Sequence, residues 1–161
     1  MMGEIDMVTI IDGQGGGIGR ALIEGLRKKA PELEIVAVGT NALATSAMLR
    51  AGASHAATGE NAVIHCCGKA TVIAGPIGIV LADALFGEMS AAMAAAVARS
   101  SATRVLVPVN KCGTVIAGVP EQPIAAYVAD AVERVLRLVG EESACGGSDT
   151  AGKGQRSVSM S

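Results

Sequence analysis

Between a β-branched run and a run of helical periodicity the chain carries Asp12-Gly13-Gln14-Gly15-Gly16-Gly17-Ile18-Gly19-Arg20. Glycines where a strand passes into a helix let the backbone approach a phosphate closely, with free N–H groups and the positive helix end turned toward the anion. The spacing is Gly13-x-x-x-Gly17-x-Gly19. The commoner dinucleotide pattern G-x-G-x-x-G is not met, because Ile18 stands where its third glycine belongs, and no Gly-Lys-Ser/Thr comes after it to make a Walker loop. The loop Gly13, Gln14, Gly15, Gly16, Gly17, Ile18, Gly19 therefore points to a nucleotide-type cofactor or a phosphorylated metabolite. The competing reading is of turns that merely join short elements, since loops are commonly polar and glycine-rich.

Cofactor choice depends on the end of the second strand, Gly39-Thr40-Asn41. An acidic residue about 20 positions after the loop would bond the ribose hydroxyls of NAD, and none stands there. Thr40 and Asn41 could donate to a 2′-phosphate instead, which favours NADP over NAD and leaves a mononucleotide or flavin open. Alone, Thr40-Asn41 reads better as an Asx-type turn or a helix cap starting the second helix. Gly75, Pro76, Ile77 and Gly78 would face the reactive end of a ligand. Two residues are catalytic candidates. Glu60 lies beside Asn61 in a loop, where it could also serve only to complement a helix dipole. Lys111 could neutralise a phosphate or be a solvated turn lysine. No residue is an obvious nucleophile or general base.

His65-Cys66-Cys67, with Cys112 as a third sulfur, does not have metal-ligand spacing: adjacent cysteines rarely share one zinc and no C-x-x-C is present. No metal site is expected. On a helix the three side chains diverge by about 100° each, so the cysteines read as small buried hydrophobes, with a redox-sensing thiol as the alternative.

Those residues need elements to hold them. Strands are expected at Met7–Ile11, Glu34–Val38, Ala53–Ala57, Thr71–Ala74 and Thr103–Val109, with helices from Ile18 to Pro31, Leu43–Arg50, Glu60–Lys69 and Ile79–Arg99, a break near Gly87 being the alternative for the last. Thr114–Val119 reads as a further strand and a candidate hairpin mate. Pro123 opens a final helix with Ile124, Val128, Val132 and Leu136 on one stripe. Alternating strands and helices define an α/β class: a Rossmann-like three-layer domain with a mostly parallel sheet. Five polar or glycine loops then fall at the carboxyl edge of one sheet, where doubly wound folds bind ligands. Residues 1–140 form that domain, and 141–161, rich in Gly and Ser, is expected to be a flexible tail.

In its Gly13-x-x-x-Gly17-Ile18-Gly19 spacing the loop resembles the glycine turn of short-chain dehydrogenases/reductases. That family's Tyr-x-x-x-Lys pair is missing, because the single tyrosine, Tyr127, has Ala131 four residues on. Over the whole chain, the combination of Asp12–Gly19, Gly39-Thr40-Asn41, Ala44-Thr45-Ser46-Ala47-Met48, Thr58-Gly59-Glu60-Asn61 and Gly75-Pro76-Ile77-Gly78 resembles a family of small uncharacterised bacterial proteins. That resemblance implies a stand-alone Rossmann-like domain and transfers no substrate.

Composition narrows the partners. The 161 residues carry 13 Lys+Arg against 15 Asp+Glu, and 1% are aromatic, so neither a basic patch nor a stacking platform points to nucleic acid. The most apolar window, Thr71 to Ala82, is broken by glycine and proline and is too short to span about 30 Å of hydrocarbon. The acidic opening lacks the pattern of an export signal, and the expected compartment is the cytoplasm, with free thiols. Mean hydropathy of +0.47 and the alanine-flanked stripe of Met89, Met93 and Val97 favour a homodimer seam over a core face. A non-catalytic ligand-sensing or oligomeric interaction module is the alternative to an enzyme.

Overall fold

A computed structural model of the chain describes residues 6–109 and 113–145, with side chains to 141. Five strands, β1 (Val8–Asp12), β2 (Ile35–Gly39), β3 (His55–Thr58), β4 (Val72–Pro76) and β5 (Thr103–Val107), form one sheet in the order β3-β2-β1-β4-β5. Every pairing is parallel, with Ile10 opposite Ala37 on one side and Ala74 on the other. Between and after the strands run α1 (Gly17–Lys29), α2 (Ala42–Arg50), α3 (Glu60–Cys67), α4 (Ala91–Arg99) and α5 (Ile124–Cys145). A parallel sheet covered on both faces needs strands that are apolar throughout, and all five residues of both β1 and β4 are buried.

Two cores result, one per face. Val8 and Ile10 of β1 pack with Leu22, Leu26, Met48 and Val132 of α1, α2 and α5. Ile11 joins Val63, Met93 and Val97 of α3 and α4 on the opposite face. The alternation arises from the two-residue period of a strand. Because Met89, Met93 and Val97 are 0%, 3% and 0% exposed, the stripe expected at a homodimer seam is core instead. Their alanine neighbours let α4 lie close to α3 and the sheet.

Three expected elements differ. Helix does not run from Ile79 to Arg99: Ile77–Val80 is a single 3-10 turn, and α4 starts only at Ala91, after Ser90, whose hydroxyl accepts from the Met93 N–H at 3.2 Å. The intervening strap, residues 81–90, holds Asp83, Leu85 and Phe86 at positive φ of 63°, 57° and 55°, a backbone no α-helix can contain. Residues 114–119 form no strand, so the sheet has no antiparallel hairpin mate there. α5 continues to Cys145, past the point near 140 where its periodicity fades. The rest of the expected tail, 146–161, lies outside the described residues.

Candidate functional site

In the order β3-β2-β1-β4-β5 the winding direction reverses between β1 and β4, and a crevice forms beyond their carboxyl ends. A cleft of about 370 Å³ occupies that position. Its walls are Asp12 to Ile18, Pro76 and Gly78 from the neighbouring strand end, Leu85 from the strap, and Val109 and Ile124. The loop Gly13–Ile18 and the turn after β4 are thus brought together.

Asp12 shapes the loop. Its carboxylate, 4% exposed, accepts from Gly13 N at 2.7 Å and from Gly19 N at 2.8 Å, folding the turn back over the start of α1. Burial raises its pKa above the usual 3.8. The amides of Gly19, Gly13 and Ile18 work against that rise, and the nearby charge of Glu88 adds to it. Gly16 donates to the Gly13 carbonyl at 2.9 Å to close the turn.

The loop glycines divide into two kinds. A Cβ on Gly13 would stand 2.6 Å from Thr40 Oγ1, one on Gly19 2.5 Å from Met48 Sδ, and Gly16 is left-handed at φ 71° with the Ala44 backbone 2.9 Å away. Packing therefore requires these three to be glycine. Gly15 and Gly17 have ordinary φ values, and a Cβ on either would meet nothing within 4 Å. Both line the cleft, and among the described residues no acceptor is bonded to either N–H.

Thr40 and Asn41 do not line the cleft. The Thr40 hydroxyl oxygen is buried without a hydrogen-bond partner, beneath Gly13. Asn41 caps α2 by accepting from Ala44 N at 2.9 Å, while its Nδ2 donates to Gln14 O at 3.0 Å and to Glu88 Oε1 at 2.6 Å. Glu88 Oε2 accepts from Gln14 N at 2.7 Å. Glu88, which nothing in the sequence pattern singles out, thereby ties the strap to the glycine loop and to α2.

Gly75 is closed against the Ile11 carbonyl, and neither it nor Ile77 forms part of the cleft wall, whereas Pro76 and Gly78 do. Glu60 heads α3 and accepts from the Ser90 hydroxyl at 3.1 Å, outside the cleft. Lys111 and Cys112 lie outside the described residues. Cys66 is half-buried and Cys67 buried. Desolvation raises both thiols, Cys67 to about 11, so neither is a thiolate near neutral pH. Among the described residues no group of His, Cys, Asp and Glu could hold a metal ion, and no helix is long and apolar enough to cross a membrane.

A larger hollow of about 780 Å³ runs along the free edge of β5 against α5 and residues 118–122. It is an open groove in which two of the three lining arginines have partners close by: Arg134 bonds Asp130 at 2.7 Å, and Arg104 bonds the Ser100 carbonyl at 2.8 Å. Tyr127 lines it, donating to the Pro120 carbonyl and accepting from Gln122 N at 3.1 Å, so it anchors the 120–122 segment. The switch-point cleft is the better candidate because free backbone donors and a strand-to-helix turn converge there.

Fold and cleft together define a doubly wound, all-parallel α/β domain of Rossmann-like type with a glycine-rich turn at its switch point. The chain belongs to the family described as "Domain of unknown function (DUF3842)", whose profile matches residues 7–140. No curated protein matches it. Among solved structures, a dodecameric FMN-dependent UbiX-like decarboxylase from Escherichia coli O157:H7 is 18% identical, with 84% of this chain and 94% of that chain covered and a TM-score of 0.42.

Proposed function

We propose that the switch-point cleft binds a small phosphorylated molecule, of metabolite or mononucleotide size, through the N–H groups of Gly15 and Gly17. The observation that carries this reading is the pair of glycines that packing does not require, set on the cleft wall with unbonded amides. A side chain at either position would stand where the ligand approaches, and the start of α1 adds its positive dipole end. The volume lies near the lower end of the ~300–1,000 Å³ usual for small-molecule sites, which supports a ligand of mononucleotide size or smaller over NADP or NAD. The side chains a dinucleotide's 2′-phosphate would need are not offered to the cleft: Asn41 Nδ2 is bonded to Gln14 O and Glu88 Oε1, and the Thr40 hydroxyl is buried beneath Gly13.

The test is thermal unfolding of the purified chain against flavins, ATP, NAD, NADP and sugar phosphates, beside the variant Gly17→Asp. Open space at that Cβ means the variant should fold normally, while its carboxylate competes for the amides. A ligand at about 100 times its Kd should add roughly 2.7 kcal/mol of stability to the parent and little to Gly17→Asp. Equal stabilisation of both proteins, or of neither by any compound, would reject the site.

A further inference from the structure

The cleft has two unlike walls. One is backbone, the glycine turn. The other is aliphatic: Ile18, Pro76, Leu85, Val109 and Ile124. Among the described residues the polar side chains in the lining are Asp12 and Gln14, and Asp12 already accepts two amide protons. A sugar or a ribonucleoside placed there would leave most of its hydroxyls unpaired, and an unpaired buried polar group costs more than its bond contributes.

The strap extends the apolar wall. Leu85, at φ 57°, reaches the cleft, while Phe86, at φ 55° and 97% exposed, lines a separate hollow on the strap. Consecutive non-glycine residues in the left-handed region are costly and persist where surrounding structure imposes them. Here Glu88 supplies the restraint by holding the strap to Gln14 and Asn41. Ile124, at the start of α5, leaves 46% of its surface exposed beside the same opening.

We infer that the ligand is a phosphate monoester of an apolar or aromatic group, its phosphate on the Gly15 and Gly17 amides and its body against Leu85, Val109 and Ile124. The inference rests on the phosphate reading above and adds the chemistry of the ligand's other end.

Calorimetric titration of the full chain with 2-naphthyl phosphate, ribose 5-phosphate and inorganic phosphate tests both parts separately. The naphthyl ester should bind at least about tenfold more tightly than ribose 5-phosphate, the margin a modest apolar contact provides. Ile124→Ser, at a half-exposed helix start, should remove that advantage by weakening the naphthyl ester more than ribose 5-phosphate. Gly17→Asp should weaken both esters. Ribose 5-phosphate binding as tightly as the naphthyl ester, or an advantage that survives in Ile124→Ser, would overturn the apolar-body inference while the phosphate site stands. Absence of binding by every phosphate compound, or binding undiminished in Gly17→Asp, would overturn the phosphate reading and the inference with it.

Discussion

The carboxylate of Asp12 holds the turn together and is penalised for its position. It bonds two amides across seven residues, yet burial raises its pKa and the charge of Glu88 adds to the rise. A carboxyl whose folded pKa lies above the unfolded 3.8 binds more protons when folded, so this group's contribution to stability falls as pH rises from about 3.8 through the raised value. Asp12→Asn keeps one acceptor and leaves one amide unpaired, which should cost roughly 1–3 kcal/mol. The gap between the two proteins should narrow from pH 4 to pH 7 as the parent loses stability. Urea unfolding at both pH values measures it, and a gap that widens with pH would reject this account of Asp12. At this scale the glycine run is legible in the sequence because its residue type states a backbone requirement. Which glycines serve packing is not, since Thr40, Ala44 and Met48 reach them only through the fold. Glu88 is illegible for the same reason, being 74 residues from Gln14.

Strands and helices are easier to read than the segments joining them. The buried strands announce themselves as short β-branched runs, and α1 as apolar residues four apart between charged ones. The strap reads as helix because its composition is helix-like, whereas Gly78, Gly87 and the capping Ser90 mark where helix stops and restarts. Arg27 shows how much of a loop's structure hangs on one side chain. In the sequence it resembles any exposed helix charge, but its guanidinium donates to Gly52 O at 2.6 Å, Leu33 O at 2.5 Å, Pro31 O at 3.2 Å and Ser54 Oγ at 3.0 Å. It thereby clamps the loop after α1 to the one after α2, which together fix where β2 and β3 begin. Arg27→Met retains the apolar stem and loses the donors, and should lower stability by about 2–3 kcal/mol. Hydrogen exchange should speed up first in β3, the edge strand next to the clamp. Unchanged stability would mean that water replaces the guanidinium without loss.

For the whole molecule, the high mean hydropathy finds its explanation inside. A parallel sheet buried on both faces consumes apolar residues in two cores at once, and alanines of α4 let that helix pack close, so composition alone does not require a hidden surface between subunits. The two cores also bound the folding unit. Their apolar members extend through Leu138 and Val139 on α5, matching the family's span of 7–140, while α5 itself reaches Cys145. A chain ending at Cys145 retains every one of those contacts and all of the described helix. Its Tm should lie within about 2 °C of the full chain's, with the cleft's response to ligand intact. A chain ending at Leu136 loses Leu138 and Val139 from the first core and should melt roughly 5 °C lower. Scanning calorimetry of the three lengths separates the domain from the residues C-terminal to it. If the Cys145 chain melted as low as the Leu136 chain, residues 146–161 would have to contribute to the folded unit, and the boundary near 140 would be wrong.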